Sequence, residues 1–588
     1  MIKPNTIVLF LLLAFFTLGM NIYTDTYLGG QGMIQTYNTI TAIQITGLIS
    51  LCFLLISLNK HLYLSSSLGY LLLLMATFLV TSHLNISEPW DVALSTSCVA
   101  LLAAGSLIVY QLNEEQVKYL LWIIAFGGAI QCVIGISQFY GVGIVTDWTQ
   151  YQKAIVKNNV PLTIFKQVNV FGSFIATGLS ISLLLIINYT NSKLENALIF
   201  LLLSFQAYAI YLVKSSRTTI LAMGMITILI VVYAFTNKLS KSQTDNRLFS
   251  RWTLKLPIVL GLFPFLIAIL VSINNDSEEI ELQHKVDEII KEAPNEFLGS
   301  TVRARLAIYT VTWDMVERKI WTGYGYGAFS SSYEKHVTKN KLDLPFLSGT
   351  RLKHPHNIIL YLWVEGGVTP VIILCAFVGF IINQVIKKGR KGYLLLVALT
   401  PITLHLLTEA PFTMSIPHIL LFGLLLGICT YDERKVSKCK NTQYSVMVVS
   451  ILSVTVITPS AIIYGLKYKE LLTYSVKIPE HKKRYSTVLI EKSIFEGPVT
   501  YRFDQLRSEY AYRNAVKSGA PSDYQLYIDS AESLVDFHFG KHLLSRLALS
   551  YAMIGDLSTG RKYYNLLVDY YPNKLNWLSL VRYYGEPK

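Results

Sequence analysis

The chain has 588 residues, 52% of them hydrophobic and only 15% charged, with a mean hydropathy of +0.43 and a net charge of +14. A soluble protein of this size carries about 25% charged residues, so the composition excludes an ordinary soluble enzyme. The excess of cations does not indicate nucleic-acid binding, because they are scattered through short loops instead of gathered on one domain.

In chain order, apolar stretches long enough for a ~30 Å hydrocarbon core fall near 7–21, 35–57, 66–82, 93–111, 119–140, 168–189, 196–213, 217–236 and 256–273. Four more fall near 356–385, 392–409, 412–430 and 444–466. Lipid offers no partner for open backbone groups, so all of them are expected to be helices. The fold class is therefore an all-α polytopic membrane protein with about 12–13 transmembrane helices. The first stretch lacks a small-x-small cleavage site and reads as a retained helix, not as a signal peptide.

Loop charge sets the expected orientation. Lys60, Lys118, Lys193 and the run Lys238, Lys241, Arg247, Arg251 and Lys255 fall in alternate loops, as do Lys387, Lys388, Arg390, Lys391, Arg434, Lys435, Lys438 and Lys440. The loops near 22–34 and 83–92 hold no Lys or Arg. The positive-inside rule puts the clusters in the cytoplasm. The segments 141–167, 274–355 and everything after 467 then face outward. This gives four regions: membrane helices over 1–273, a large outer loop over 274–355, membrane helices over 356–466, and an outer helical domain over 467–588. All six cysteines fall in spans or cytoplasmic loops, so neither a disulfide framework nor a cysteine metal site is expected.

Within the large loop, "EEIELQHKVDEIIKEA" and "RARLAIYTVTWDMVERKI" read as helices. The glycine run from Gly323 to Phe329 follows, where the backbone is free to turn or to approach a ligand. In the tail, Ala548, Tyr551, Gly560, Tyr564 and Pro572 stand at the spacing of a tetratricopeptide repeat, although an ordinary helical hairpin fits them equally.

The chemistry-bearing residues gather at the outer ends of separate spans. "RLKHPHNIIL" places His354, Pro355, His356 and Asn357 where the tenth span starts. A proline suits a first helical turn and its predecessor avoids helix. His356 and Asn357 are thus expected in the first turn, with His354 outside it and pointing elsewhere. These residues are either an interfacial cap or a base, since histidine titrates near neutrality. Arg217, at an outer helix end, runs against the charge trend. A bound anion or snorkelling to the headgroups would explain it. Arg303 and Arg305 precede Tyr309 in the loop, and Gln167 and Asn169, beside Lys166, open the sixth span. His405 and Glu409 stand four apart, on one face of a continuous helix. Glu365 lies nine residues past His356, about 13 Å along a straight helix, and is a poor partner for it. Cations at one membrane face suit a phosphate-bearing lipid, and a histidine there suits proton removal from a hydroxyl. A transporter would instead place charges at the bilayer midplane.

These motifs resemble the O-antigen ligase-like superfamily, and within it the bacterial protein O-oligosaccharyltransferases that glycosylate pilins. The ligase pattern of His-Asn, nine residues and a glycine resembles His356-Asn357 and Gly367, with Pro370 where a second glycine is usual. Arg305, Tyr309, Gly323, Gly325 and Phe329 resemble its R-x-x-x-aromatic … G-x-G-x-x-F pattern, with one residue more before the Phe. Ser216-Arg217 resembles its S-R pair. Gln167-Val168-Asn169 resembles Q-P-N, with Val for Pro. His405, Glu409, Pro411 and Phe412 resemble H-S-x-x-E-Y-P-L, with Ala410 in the tyrosine's place.

The resemblance implies a glycosyltransferase of the bacterial inner membrane, with its active site and C-terminal domain on the periplasmic side. It would pass an oligosaccharide whole from undecaprenyl pyrophosphate to a Ser or Thr hydroxyl of an acceptor protein such as a pilin. His356 would be the base, and Arg217 and Arg305, with Arg303, would hold the diphosphate. Gln167, Asn357 and Lys166 would bind substrate, and His405 and Glu409 would support the site or place the acceptor. No cofactor and no metal are expected, and the partners are the lipid-linked glycan, the acceptor protein and the bilayer. An O-antigen ligase acting on lipid A-core and a polysaccharide polymerase are the rival enzymes.

Overall fold

The computed structural model describes residues 3–21, 36–58, 62–65, 67–85, 87–142, 161–165, 167–189, 192–213, 216–240, 300–340, 352–431, 437–439, 442–452, 455, 462–463, 500–537 and 539–570. The expected span at 256–273, the expected helix at 278–293, much of the second half of the span at 444–466, Lys166 and Pro572 lie outside these residues.

The first helices are α1 (Pro4–Thr17), α2 (Thr36–Ser57), α3 (Ser67–Leu84), α4 (Pro89–Tyr110) and α5 (Glu114–Phe139). After them come α6 (Val168–Asn188), α7 (Lys193–Leu212), α8 (Arg217–Ser240), α9 (Ser300–Arg318) and α10 (Phe329–Lys339). The central helices are α11 (Ile358–Gly366), α12 (Val368–Lys387), α13 (Gly389–Thr408), α14 (Pro411–Met414), α15 (Ile416–Thr430) and α16 (Thr442–Leu452). The tail adds α17 (Thr500–Ser518), α18 (Pro521–Ala531), α19 (Lys541–Met553) and α20 (Leu557–Tyr570). A two-stranded antiparallel ribbon pairs β1 (Leu62–Leu64) with β2 (Ser437–Cys439), a pairing with no signature in the sequence pattern. Among the described residues nine helices are long and apolar enough to cross a membrane, and α15 and the Arg217–Tyr233 part of α8 are shorter apolar helices. The chain is an all-α, multi-pass membrane protein.

The chain divides into two compact units. The first draws on residues 1–72, 98–297 and 374–461. Its centre is α6, buried along almost its whole length against α5, α7, α8 and α13. Small residues let these helices approach closely, the usual solution where lipid is as apolar as leucine. Gly423 and Gly427 stand one turn apart on α15 and meet the backbone of α4 around Leu102, Gly105 and Ser106, so any Cβ at either glycine would collide with it. Buried Gln206 donates to the Ala125 carbonyl (3.1 Å) and accepts from Ser182 Oγ (3.0 Å), which pins α7 to α5 and α6.

The second unit draws on residues 73–97, 298–373 and 462–588. Val311, Met315 and Val316 of α9 pack with Phe329 and Tyr333 of α10 and Val364 of α11. The tail forms two helix pairs, α17–α18 and α19–α20, around Tyr527, Phe539, Leu544, Leu547, Ala548 and Leu567. Ala548 and Gly560, the small residues of the repeat-like spacing, are both buried there. Ser331 of α10 donates to the Asp536 carbonyl (2.6 Å), and the Lys335 ammonium lies 4.8 Å over the Phe539 ring. The helical tail is thereby bound to the same unit as α9 and α11.

The tenth span is not one helix. α11 ends at Gly366, and Gly367 takes a positive φ of +74° before α12 begins. The break is built from outside. Val368 N–H donates to the Ile320 carbonyl (2.9 Å), Tyr324 N–H to the Val364 carbonyl (2.8 Å), and Gly325 N–H to the Glu365 carbonyl (3.0 Å). A Cβ on Gly323 would lie 2.3 Å from the Glu365 oxygen, and one on Gly367 would lie 2.1 Å from the Trp321 oxygen. The glycine run therefore approaches the protein's own backbone at this joint.

Candidate functional site

The structure corrects the start of α11. His356 and Asn357 are not in the first helical turn: Asn357 is the N-cap, with extended backbone, and its side chain accepts from the amides of Ile359 (2.9 Å) and Leu360 (3.1 Å). Asparagine is among the best N-caps because it satisfies two of the amides a helix leaves open, and this outweighs the preference for proline at the start. His356 is displaced one residue outward into the left-handed region, at φ +56°. Only one other non-glycine residue, Thr163, has a positive φ among the described residues.

Three contacts hold His356 there. Tyr309 Oη of α9 donates to the His356 carbonyl (3.2 Å), and the His356 amide donates to His354 Nδ1 (3.3 Å). The two imidazoles also meet edge to face, 4.6 Å between ring centres. His354 does lie outside the helix, but it does not point elsewhere. Arg305 is half-buried one turn before Tyr309 on α9, and residues four apart share a helix face. The second unit thus brings Arg305, Tyr309, His354, His356 and Asn357 to the mouth of α11. Arg303 lies in the first turn of the same helix, its side chain outside the described set.

Sequence reasoning missed the acid that supports this mouth. Glu365 is 1% exposed, and its Oε1 accepts from the amides of Gly327 (3.0 Å) and Phe329 (3.3 Å). It is not His356's partner, as the helical spacing required. It instead ties the far end of α11 to the glycine run that follows α9. Its Oε2 and the Tyr326 hydroxyl are buried without a hydrogen-bond partner among the described residues. Asp91 lies beside this knot, where a Cβ on Gly327 would come 2.2 Å from its carboxylate. Glu88 accepts from the Asp91 amide (2.7 Å). Burial pushes Glu88 up to about 7, and the neighbouring Asp91 charge adds to the rise.

The first unit gathers the other candidates. Ser216 Oγ donates to Asn169 Oδ1 (2.7 Å) and also pairs with Thr219 Oγ1 (2.7 Å), joining the starts of α6 and α8. The Thr218 hydroxyl meets that of Thr408 at 3.3 Å, bringing in the end of α13. Arg217 is the first residue of α8 and is exposed. Gln167 precedes α6 in extended conformation, and its Oε1 is buried without a partner among the described residues. His405 lies in the last turn of α13, while Glu409 is its C-cap, so the helix expected to carry both is not continuous through Glu409. α13 ends at Thr408, and Glu409 turns to extended backbone with its amide on the His405 carbonyl (2.8 Å). Pro411 explains the break, because residues before a proline avoid helix and Pro411 itself opens α14.

Residues 198–375 match the family model described as O-antigen ligase. This segment is similar to that family. It takes in Arg217, Arg303, Arg305, His356, Asn357 and Glu365, while Gln167, His405 and Glu409 lie outside the matched residues. The family that this segment is similar to is one of ligases that transfer glycans from a lipid-linked donor. A search of curated proteins found no match to this chain. Among the described residues, no three His, Cys, Asp or Glu side chains lie close enough together to hold a metal ion.

Proposed function

We propose that this protein transfers an oligosaccharide whole from undecaprenyl pyrophosphate to a Ser or Thr hydroxyl of a periplasmic protein such as a pilin, at the outer face of a bacterial inner membrane. The observation that carries the reading is the mouth of α11 in the ligase-like segment. There a histidine is held in a strained left-handed conformation by Tyr309, one turn from Arg305. Backbone strain of this kind persists where the surroundings over-determine it, and it clusters at functional sites.

The acceptor oxygen attacks the anomeric carbon, and the bond from that carbon to the pyrophosphate oxygen breaks. His356 takes the hydroxyl proton, because a neutral hydroxyl is a weak nucleophile. The leaving undecaprenyl pyrophosphate carries the negative charge. Arg305 and Arg217 bind it, since a planar guanidinium spans two phosphate oxygens. Asn357 is committed to capping α11, so its part is to fix His356. Gln167, whose Oε1 has no partner among the described residues, would accept from a sugar hydroxyl.

Support for a protein acceptor comes from the paired helices over 500–570, bound through Asp536 and Phe539 to the unit that carries His356. Deleting the gene tests the reading, with pilin mass and lipopolysaccharide banding measured in parallel. Loss of the glycan mass from pilin with unchanged banding is expected. Altered banding with unchanged pilin would assign the protein to lipid A-core ligation instead.

A further inference from the structure

The second unit exposes an aromatic face that the site described above does not use. Leu306, Thr310, Trp313 and Glu317 stand three or four residues apart on α9 and so share one side of it. All four are exposed, while Ile308, Val311, Met315 and Val316 are buried on the opposite side. Ile320 and Trp321, just past the helix end, are exposed too, Trp321 by 76%. Trp363 of α11 links these groups. It meets Trp313 edge to face at 5.4 Å, and its Nε1 donates to the Ile320 carbonyl (3.3 Å). Large apolar groups gathered in this way on an exposed surface mark an interaction site.

Hydrogen bonds within this unit fix the level at which the face lies. Val368, the first residue of α12, donates its amide to the Ile320 carbonyl (2.9 Å). Asn85, just past the end of α3, donates from Nδ2 to the Thr322 carbonyl (2.7 Å). Glu88, just before α4, donates its amide to the Tyr326 carbonyl (2.9 Å). The segment from Ile320 to Tyr326 is thus tied to the ends of three helices long and apolar enough to cross a membrane. A short connection joins α3 to α4 here, so the three ends share one membrane face. α12 has 20 residues, about 30 Å of helix, and is long enough to cross the hydrocarbon core by itself. The 9 residues of α11 are surplus to that crossing, and the break at Gly367 frees them to take another direction. α9 runs beside α11 in the same chain direction: Tyr309 meets His356, Trp313 meets Trp363, and Ile320 meets Val368.

We propose that α9 and α11 lie in the plane of the membrane surface at that face, with Leu306, Trp313, Ile320, Trp321 and Trp363 seated in the boundary between headgroups and acyl chains. The partner of the aromatic face is the lipid surface. Tryptophan is enriched at that depth because its ring is amphipathic. Helices that rest there carry an apolar face edged by charge, and cations beside it are drawn to anionic lipids. Arg318 and Lys319 stand exposed at the end of α9 in that position. Thr310 and Glu317, which accepts from Trp313 Nε1 (2.7 Å), fit a headgroup layer and not the hydrocarbon core. The seating also sets the height of Arg305, Tyr309 and His356 at the level of lipid phosphates. On the glycosyl-transfer reading above, that is the level of the donor's diphosphate; the seating itself does not depend on that reading.

The test is fluorine magnetic resonance on the full-length protein labelled with fluorotryptophan, in nanodiscs of phosphatidylethanolamine and phosphatidylglycerol. The chain has 8 tryptophans, and Trp90→Phe, Trp313→Phe and Trp321→Phe assign the signals needed. Trp90, in the first turn of α4, marks the level of a span end. Three relaxation probes are used in turn: a lipid with a nitroxide next to its headgroup, a lipid with a nitroxide at the methyl end of its chain, and a water-soluble gadolinium chelate. The nitroxide next to the headgroup should broaden Trp313 and Trp321 as strongly as Trp90, and more than either other probe does. Greatest signal loss from the gadolinium chelate would place the face in water, open to a protein partner. Greatest loss from the methyl-end nitroxide would place α9 and α11 across the hydrocarbon core. Either result would overturn the proposal. The measurement is made on the wild type and needs no transfer activity, so a protein that transfers no glycan would refute the glycosyl-transfer reading and leave the seating to be judged by itself.

Discussion

Replacing His356 with glycine should leave the protein more stable than replacing it with alanine, while both changes sharply reduce transfer. His356 holds φ +56°, a region that costs an L-residue about 1–2 kcal/mol. Glycine adopts it without that penalty but gives up about 0.5–1 kcal/mol of extra freedom in the unfolded chain. The balance favours glycine by about 0.5–1 kcal/mol over a residue with a Cβ and no other contact. His356→Ala is therefore the proper reference, because both variants lose the imidazole and its edge-to-face contact with His354. Both keep the carbonyl that Tyr309 grips and the amide that meets His354. Denaturation in detergent should place His356→Gly above His356→Ala by about that amount. Transfer should fall by about 10²–10⁴-fold in both, the usual worth of general-base help. An alanine variant as stable as the glycine variant would show that the left-handed conformation is not strained. Substantial transfer by either variant would leave His356 a structural residue at a helix mouth.

Glu365→Ala should destabilise the protein by about 2–6 kcal/mol, because it strands two buried amides at about 1–3 kcal/mol each. Glu365→Gln keeps an acceptor and should recover most of this in the same melt. Glu88 is held up to about 7, so the folded state keeps a proton that the unfolded chain gives up near the ordinary carboxylate range. Its contribution is full below that range and is lost as pH rises toward 7. Glu88→Gln should thus match wild type at pH 4 and melt progressively higher than wild type between pH 5 and 7.5. Arg305→Lys and Arg217→Lys should each impair transfer, since lysine lacks the fork that spans two phosphate oxygens. Normal rates in both would make them snorkelling or surface residues.

The membrane character of the fold was legible because the apolar runs are long and the physics of unsatisfied backbone in lipid is severe. Helix interruptions were not. In "IILYLWVEGGVTPVIIL" the pair Gly366-Gly367 and Pro370 are break signals, but the length of the apolar run around them reads as one span. The break at Gly367 depends on Ile320, Tyr324 and Gly325, more than forty residues upstream in the sequence. His356 could be singled out because it is a polar group at the start of an apolar helix, and Arg305 because it stands four residues before Tyr309, which grips the His356 carbonyl. The spacing correctly excluded Glu365 as a partner of His356 but could not show its own role, because its partners are amides of a distant loop.

The most direct test of the central claim is transfer by the purified protein in lipid, supplied with an undecaprenyl-pyrophosphate-linked oligosaccharide and a Ser/Thr-bearing pilin, read by intact-protein mass. The account predicts a single-step gain equal to the whole oligosaccharide, with release of undecaprenyl pyrophosphate and loss of the product in His356→Ala. A pilin of unchanged mass, with the same donor consumed onto lipid A-core or lengthened on its own lipid, would contradict it.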